Sequence, residues 1–242
     1  MMARHELWRI GMYVAIVTVV YMGLLHLVSI MTAVKTYDLT IDPSFSHQMC
    51  SQLQEYIAHV PGGASLRQYF NDIALWSARY TSIAYYTLAL QAPHTAHIIF
   101  HAYTPVVLIN NKYCSTSQGI AYLCTEINEG MRARLPSIIV REYRHDDHEL
   151  NRELVAWVTA LPLELQNMYT LVWHDTTMRC LESRESSIRH TIVCADTTHV
   201  TPTLVNVCVK SIQEQQQHCK RVFHWIADIR FANQLIIKKE SI

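Results

Sequence analysis

Apolar positions along this 242-residue chain fall into one unbroken run and many short periodic ones. The unbroken run is Ile10–Val34, IGMYVAIVTVVYMGLLHLVSIMTAV, in which His26 is the only basic or acidic side chain. At about 1.5 Å per residue it spans about 37 Å as a helix, enough for a hydrocarbon core of about 30 Å. Trp8 and Tyr37 flank it, as interfacial aromatics do, and Arg4 and Arg9 precede it. The pattern predicts a transmembrane helix over Ile10–Val34. The basic residues ahead of it predict a cytoplasmic tail over residues 1–9, with the rest of the chain outside the cell membrane. A cleaved signal peptide is the competing reading, with Ser29 and Ala33 as small residues for a peptidase, but its apolar region is normally shorter.

After the run, short periods take over. Lys35–Asp42 alternates and predicts a strand. Met49, Leu53, Tyr56 and Ile57 recur at helical spacing behind Ser46, and Leu66, Tyr69, Phe70, Ile73 and Trp76 recur behind Ser65. Pro61-Gly62-Gly63 separates these two helices. Ser82–Gln91 and Ala96–Tyr103 are strand-like and joined by a short Ala92-Pro93-His94 turn, which predicts an antiparallel hairpin. Small strands follow at Val106–Ile109 and Ile120–Tyr122, punctuated by Asn110-Asn111 and Gln118-Gly119.

Ile138–Val140 is apolar, and the charged stretch Arg141–His148 leads to a helix with Leu150, Leu154, Trp157 and Val158, capped by Asp146 or Asp147. Met168–His174, Thr177–Glu182 and Ser187–Ala195 read as strands. Thr201-Pro202 opens a helix with Leu204, Val205, Cys208, Val209 and Ile212, and Arg221–Phe231 and Gln234–Lys238 are extended. The elements predict an α+β chain.

Composition narrows the chemistry. Twenty basic and twenty acidic residues cancel, which leaves no concentrated basic field for nucleic acid. Only six glycines are present, against a phosphate-cradling loop. The seven cysteines show no C-x-x-C spacing; Cys114–Cys124 and Cys180–Cys194 are the pairs that neighbouring strands would allow to bridge, and burial as small apolar residues is the plainer reading. His97 and His101 share a strand face but stand about 13 Å apart, too far for one metal ion. His145-Asp146-Asp147-His148 is better explained by a helix cap than by a cation. No metal, cofactor or small-molecule substrate is expected. Motifs of zinc proteases, serine hydrolases and nucleotide enzymes are absent from the sequence.

Three segments carry a resemblance. The first is Tyr103-Thr104-Pro105-Val106 with Ile109-Asn110-Asn111-Lys112 and Gln118-Gly119-Ile120; the second is Arg134-Leu135-Pro136-Ser137-Ile138; the third is Ile226-Ala227-Asp228-Ile229-Arg230-Phe231-Ala232-Asn233. In this order, behind one apolar run, they resemble the bacterial cell-division proteins FtsQ and DivIB. The third is similar to that family's "V-D-L-R-Y" strand. Trp173–Met178 stands, without glycine, where the family usually has a glycine turn.

The resemblance implies an N-terminal transmembrane helix, a POTRA-like domain over residues 35–105, and a mixed β-sheet domain with flanking helices over residues 106–242. It implies a non-enzymatic scaffold for septum formation, single-pass in the inner membrane, whose partners are FtsB-like and FtsL-like single-span proteins, with the bilayer engaged through the anchor. The partner would add a strand to an exposed sheet edge. The implied partner-binding residues are Asp228, Arg230, Phe231 and Asn233, with Arg230 offering a forked set of donors and Phe231 an apolar face that lacks the family's tyrosine hydroxyl. Core packing for Ile229 and Phe231, with Arg230 solvated, is the plainer reading of the same strand. The alternatives are a membrane-anchored POTRA-type secretion or chaperone-like protein and, more distantly, an anchored hydrolase.

Overall fold

The computed structural model describes residues 2–31, 34–60, 66–91, 94–184, 188–195, 200–219, 221, 223–231 and 234–240. The first element, α1, runs Met2–Met31. Its side chains are described over residues 12–28, and all of them are exposed. Among the described residues no helix is long and apolar enough to cross a membrane. This corrects the transmembrane helix expected over Ile10–Val34 and the single-pass inner-membrane location derived from it. The ends of that run fall outside the described side chains.

The chain divides into two units: residues 1–42 with 48–102, and residues 43–47 with 103–242. The first contains α1, β1 (Thr36–Ile41), α2 (His47–His59), α3 (Leu66–Ser77), β2 (Ile83–Gln91) and β3 (Thr95–Ala102). The predicted succession of strand, helix, helix, strand, strand is therefore present. The sheet order is β1-β3-β2, with β1 parallel and β2 antiparallel to the central β3. Ala96, Ile98 and Phe100 alternate inward on β3, and Met49, Leu53 and Ile57 of α2 and Tyr69, Ile73 and Trp76 of α3 are buried. Of the expected hairpin turn, Ala92 and Pro93 lie outside the described residues; His94 takes a left-handed φ of 79°.

The second unit is built on a nine-stranded sheet of order β12-β11-β10-β9-β8-β7-β4-β5-β6. Its strands are β4 (Val107–Ile109), β5 (Tyr113–Ser115), β6 (Ala121–Leu123), β7 (Ser137–Val140), β8 (Tyr169–Trp173), β9 (Arg179–Ser183), β10 (His190–Cys194), β11 (His224–Asp228) and β12 (Ile236–Glu240). The helices are α4 (Glu129–Arg132), α5 (His148–Ala160), α6 (Leu163–Met168) and α7 (Pro202–Gln217). Pairs β4–β7, β7–β8 and β10–β11 are parallel and the rest antiparallel. The parallel steps β7–β8 and β10–β11 need crossovers, and α5 and α7 supply them. Both crossovers step toward β12, so one handedness lays both helices on one face. There Leu154, Trp157 and Val158 of α5 and Val205, Cys208 and Ile212 of α7 share a core with Ile138, Leu171, Leu181, Ile192 and Ala227 of the strands. α5 is capped by Asp147, whose side chain accepts from the Leu150 amide, and α7 by Thr201 in the same way from Leu204.

Two local devices hold the sheet's middle. Asn110 and Asn111 both adopt left-handed φ, 52° and 56°, closing β4 onto β5. The Asn110 amide then pairs with β7 as a backbone group would, donating to the Val140 carbonyl at 2.9 Å and accepting from its N–H at 2.7 Å. Asn151, fully buried in α5, accepts from the Tyr143 hydroxyl and donates to the carbonyls of Gly119 and His145. Gly119 has φ +81°, and a Cβ there would lie 2.5 Å from the His148 carbonyl oxygen.

Candidate partner-binding edge

The third resemblance segment ends β11 and leads into β12. β12 pairs with β11 on one side, in the register Asp228↔Ile236, Ala227↔Ile237, Ile226↔Lys238, Trp225↔Lys239 and His224↔Glu240. On its other side β12 is the edge of the sheet. An edge strand turns alternate N–H and C=O groups away from its neighbour, a template for another extended chain. The opposite edge is β6, three residues long with two of them buried. Lys238, Lys239 and Glu240 are exposed, as charges on an edge that must not pair indiscriminately. The Lys239 ammonium lies 5.1 Å from the Phe223 ring centre.

Asp228 is only 6 % exposed. Its carboxylate receives the Arg230 guanidinium in a fork, Nε to Oδ1 at 3.0 Å and Nη2 to Oδ2 at 2.8 Å, and the Arg230 backbone N–H at 3.1 Å. These hydrogen bonds from Arg230 hold the Asp228 carboxyl below its ordinary value despite burial, and they raise the guanidinium in turn. The ladder continues one residue past β11, the Ile229 N–H donating to the Val193 carbonyl at 2.9 Å. Phe231 is 50 % exposed, with the Arg230 guanidinium carbon 5.8 Å from its ring centre. Gln234 donates its N–H back to the Phe231 carbonyl, which brings the chain round toward β12. Leu235 adds a second exposed apolar side chain beside the edge.

The four expected contact residues thus separate. Asp228 and Arg230 are brought together, but onto each other rather than toward a partner. Phe231 stands out toward solvent, not in the core. Asn233 lies outside the described residues.

The histidine and acidic clusters have structural employment. His97 Nδ1 is 2.8 Å from the Asp38 carboxylate across the β1–β3 register, and His101 stacks on Tyr85 with ring centres 4.2 Å apart. His145 stacks on Tyr113, and His148 Nδ1 donates to the Gly119 carbonyl. Among the described residues no three His, Cys, Asp or Glu side chains group as a metal ion requires. Cys180 packs with Val172 and Val193, whereas Cys194 packs in the helix-side core. They lie on opposite faces of the sheet, which excludes the Cys180–Cys194 bridge that neighbouring strands suggested.

A feature that periodicity did not reveal is the Arg179 guanidinium, stacked 4.2 Å over the Trp173 ring centre and 6.0 Å from that of Trp157. Among the described residues, the buried Arg179 Nε and Trp157 Nε1 have no acceptor. Neither a family model nor a curated protein matches the chain.

Proposed function

We propose that this protein is a non-catalytic scaffold of the bacterial division complex that captures an extended segment of a partner by strand addition along β12. The observation that carries this reading is the free edge of a nine-stranded sheet formed by Ile236–Glu240, with Phe231 and Leu235 exposed beside it. Main-chain hydrogen bonds along β12 supply affinity, and the exposed apolar pair selects the register. The partners are FtsB-like and FtsL-like single-span proteins, as the resemblance of Ile226–Asn233 implies. Arg230 holds the β11–β12 turn through Asp228 and does not itself grip the partner, a refinement of the role the resemblance implies.

Binding of the full chain to soluble segments of candidate division proteins, measured by calorimetry, tests this. Proline at Lys238 and at Lys239 removes one N–H each, and the two point in opposite directions from the strand. One substitution disturbs β11 pairing; the other removes an outward donor, and that variant should keep its fold and lose the partner. Undiminished binding by both variants would sink strand addition at β12. Binding to no division protein would sink the division assignment.

A further inference from the structure

Arg179 opens β9 opposite two strand ends, Trp173 of β8 and Cys194 of β10. All three side chains are therefore on the face that packs against α5, where Trp157 shares a core with Trp173 and Cys194. Trp157 and Trp173 are each 2 % exposed and meet edge to face, with ring centres 5.8 Å apart. Arg179 is half-buried beside them, its guanidinium lying on the Trp173 ring. Stacking of this kind occupies the flat face of a guanidinium. It leaves the N–H groups, which lie in the plane, to find acceptors elsewhere.

Among the described residues they find none. Arg179 makes no ion pair, and its Nε is buried without an acceptor, as is Nε1 of Trp157. Nearby carboxylates are engaged or turned away. Asp175 is exposed and accepts from the N–H and hydroxyl of Thr177. Glu182 alternates with Leu181, a helix-side residue, and so faces the other side of the sheet. Both orphaned groups are donors only: a guanidinium keeps its protons in a protein, and an indole nitrogen has no acceptor capacity. The partner they lack is therefore an acceptor, and a permanent cation with no acidic neighbour calls for a charged one.

We propose that Arg179 and Trp157 form a binding site for a small carboxylate monoanion between the sheet and α5. One guanidinium balances one negative charge. Its fork matches the two oxygens of a carboxylate, and the indole N–H is a third donor beside it. A phosphate near neutral pH brings further charge, and no second cation is present to pair with it. The guest is small because two of its donors are buried and only the guanidinium end borders solvent.

The test is a titration of the full chain with sodium formate and sodium acetate at pH 7, against sodium chloride at equal ionic strength, followed through the indole N–H signals in ¹H–¹⁵N spectra. The Trp157 signal is the one lost in Trp157→Phe or, should that core substitution unfold the chain, the one whose response disappears in Arg179→Met. A saturable downfield shift of that signal at millimolar formate is expected, with slower exchange against water, because the donor gains an acceptor. Arg179→Met keeps an apolar stem against Trp173 and removes the charge, and should weaken binding at least about tenfold. Arg179→Lys keeps the charge, loses the fork and should weaken it about fivefold. No saturable shift would leave both donors to water and overturn the site. Equal or tighter binding of phosphate or chloride, or undiminished affinity in Arg179→Met, would each overturn the carboxylate assignment.

Discussion

Removing Arg230 should harm the fold more than neutralising Asp228, although the two share the same hydrogen bonds. Asp228 is 6 % exposed, whereas the Arg230 side chain keeps 32 % of its surface in water. Arg230→Ala leaves a buried carboxylate with one donor, the backbone N–H of residue 230. A broken, fully buried pair costs about 3–5 kcal/mol; with one partner a third exposed, about 2–3 kcal/mol is expected. Asp228→Asn keeps an acceptor of the same shape and leaves a guanidinium that water can reach, for about 1 kcal/mol. The pH dependence separates the two further. Arg230 lowers the Asp228 pKa, so in the unsubstituted protein this stabilisation is complete above the ordinary carboxylate value of about 3.9 and is lost as pH falls through the lowered folded value. In Arg230→Ala only burial and the backbone bond remain. The carboxylate then takes up a proton at higher pH, and the deficit against the parent narrows toward pH 4. Urea unfolding followed by tryptophan fluorescence at pH 7 and pH 4 reads both effects, with Trp225 on β11 as the near reporter. Equal costs for the two substitutions, or a deficit for Arg230→Ala that is the same at both pH values, would refute the buried-pair account.

Asn151→Leu removes the common partner of Tyr143, Gly119 and His145. It should lower stability by about 2 kcal/mol, read as a drop in unfolding midpoint, because the half-buried Tyr143 hydroxyl loses its acceptor and the Gly119 carbonyl keeps only the bond from His148. Gly119→Ala places a Cβ 2.5 Å from the His148 carbonyl at a φ of +81° and should cost at least about 2 kcal/mol in the same assay, whereas a gain would contradict the close approach. Mild oxidation followed by non-reducing peptide mapping should yield no Cys180–Cys194 link in the folded protein, since the two thiols face opposite sides of the sheet. Burial pushes the Cys114 thiol up to about 12, so alkylation at pH 8 should be slow until the protein unfolds, and rapid native labelling at Cys114 would refute its burial.

Periodicity carried most of the element order because the buried faces are regular. Met49, Leu53 and Ile57 repeat at helical spacing and all three are buried in α2. Thr201 and Asp147 announced two helix starts through side chains that accept from the first turn. The short helix Leu163–Met168 escaped notice because six residues give less than two turns of pattern. Pairing was not legible. Nothing local distinguishes the parallel β10–β11 pair from an antiparallel one, and only the length of the α7 crossover implies it. Asn110-Asn111 read as a turn, correctly, but the two hydrogen bonds from Asn110 to β7 depend on a residue 30 positions away. The run Ile10–Val34 shows the converse. It reads as a span by composition, yet among the described residues no helix is long and apolar enough to cross a membrane.

The segment Asp228–Phe231 illustrates how one strand motif divides its labour. As a pattern, Asp-Ile-Arg-Phe suggests an arginine held out for a partner's carboxylate. In the fold, alternation puts Asp228 and Arg230 on one face, and the chain leaves β11 between them, so the guanidinium folds back within reach of the carboxylate two residues earlier. The nearest anion satisfies the arginine first. A partner carboxylate competing for Arg230 would have to leave Asp228 buried and unpaired, at the cost of about 2–3 kcal/mol estimated above for Arg230→Ala. A docking mode that leaves the pair intact and uses the free backbone of β12 with the half-exposed Phe231 avoids that cost. Phe231→Ala should therefore weaken partner binding while leaving stability nearly unchanged. Arg230→Lys, which keeps the charge and loses the fork, should show the opposite pattern, with stability reduced and intrinsic affinity retained in the folded fraction. The reverse result would return Arg230 to the interface.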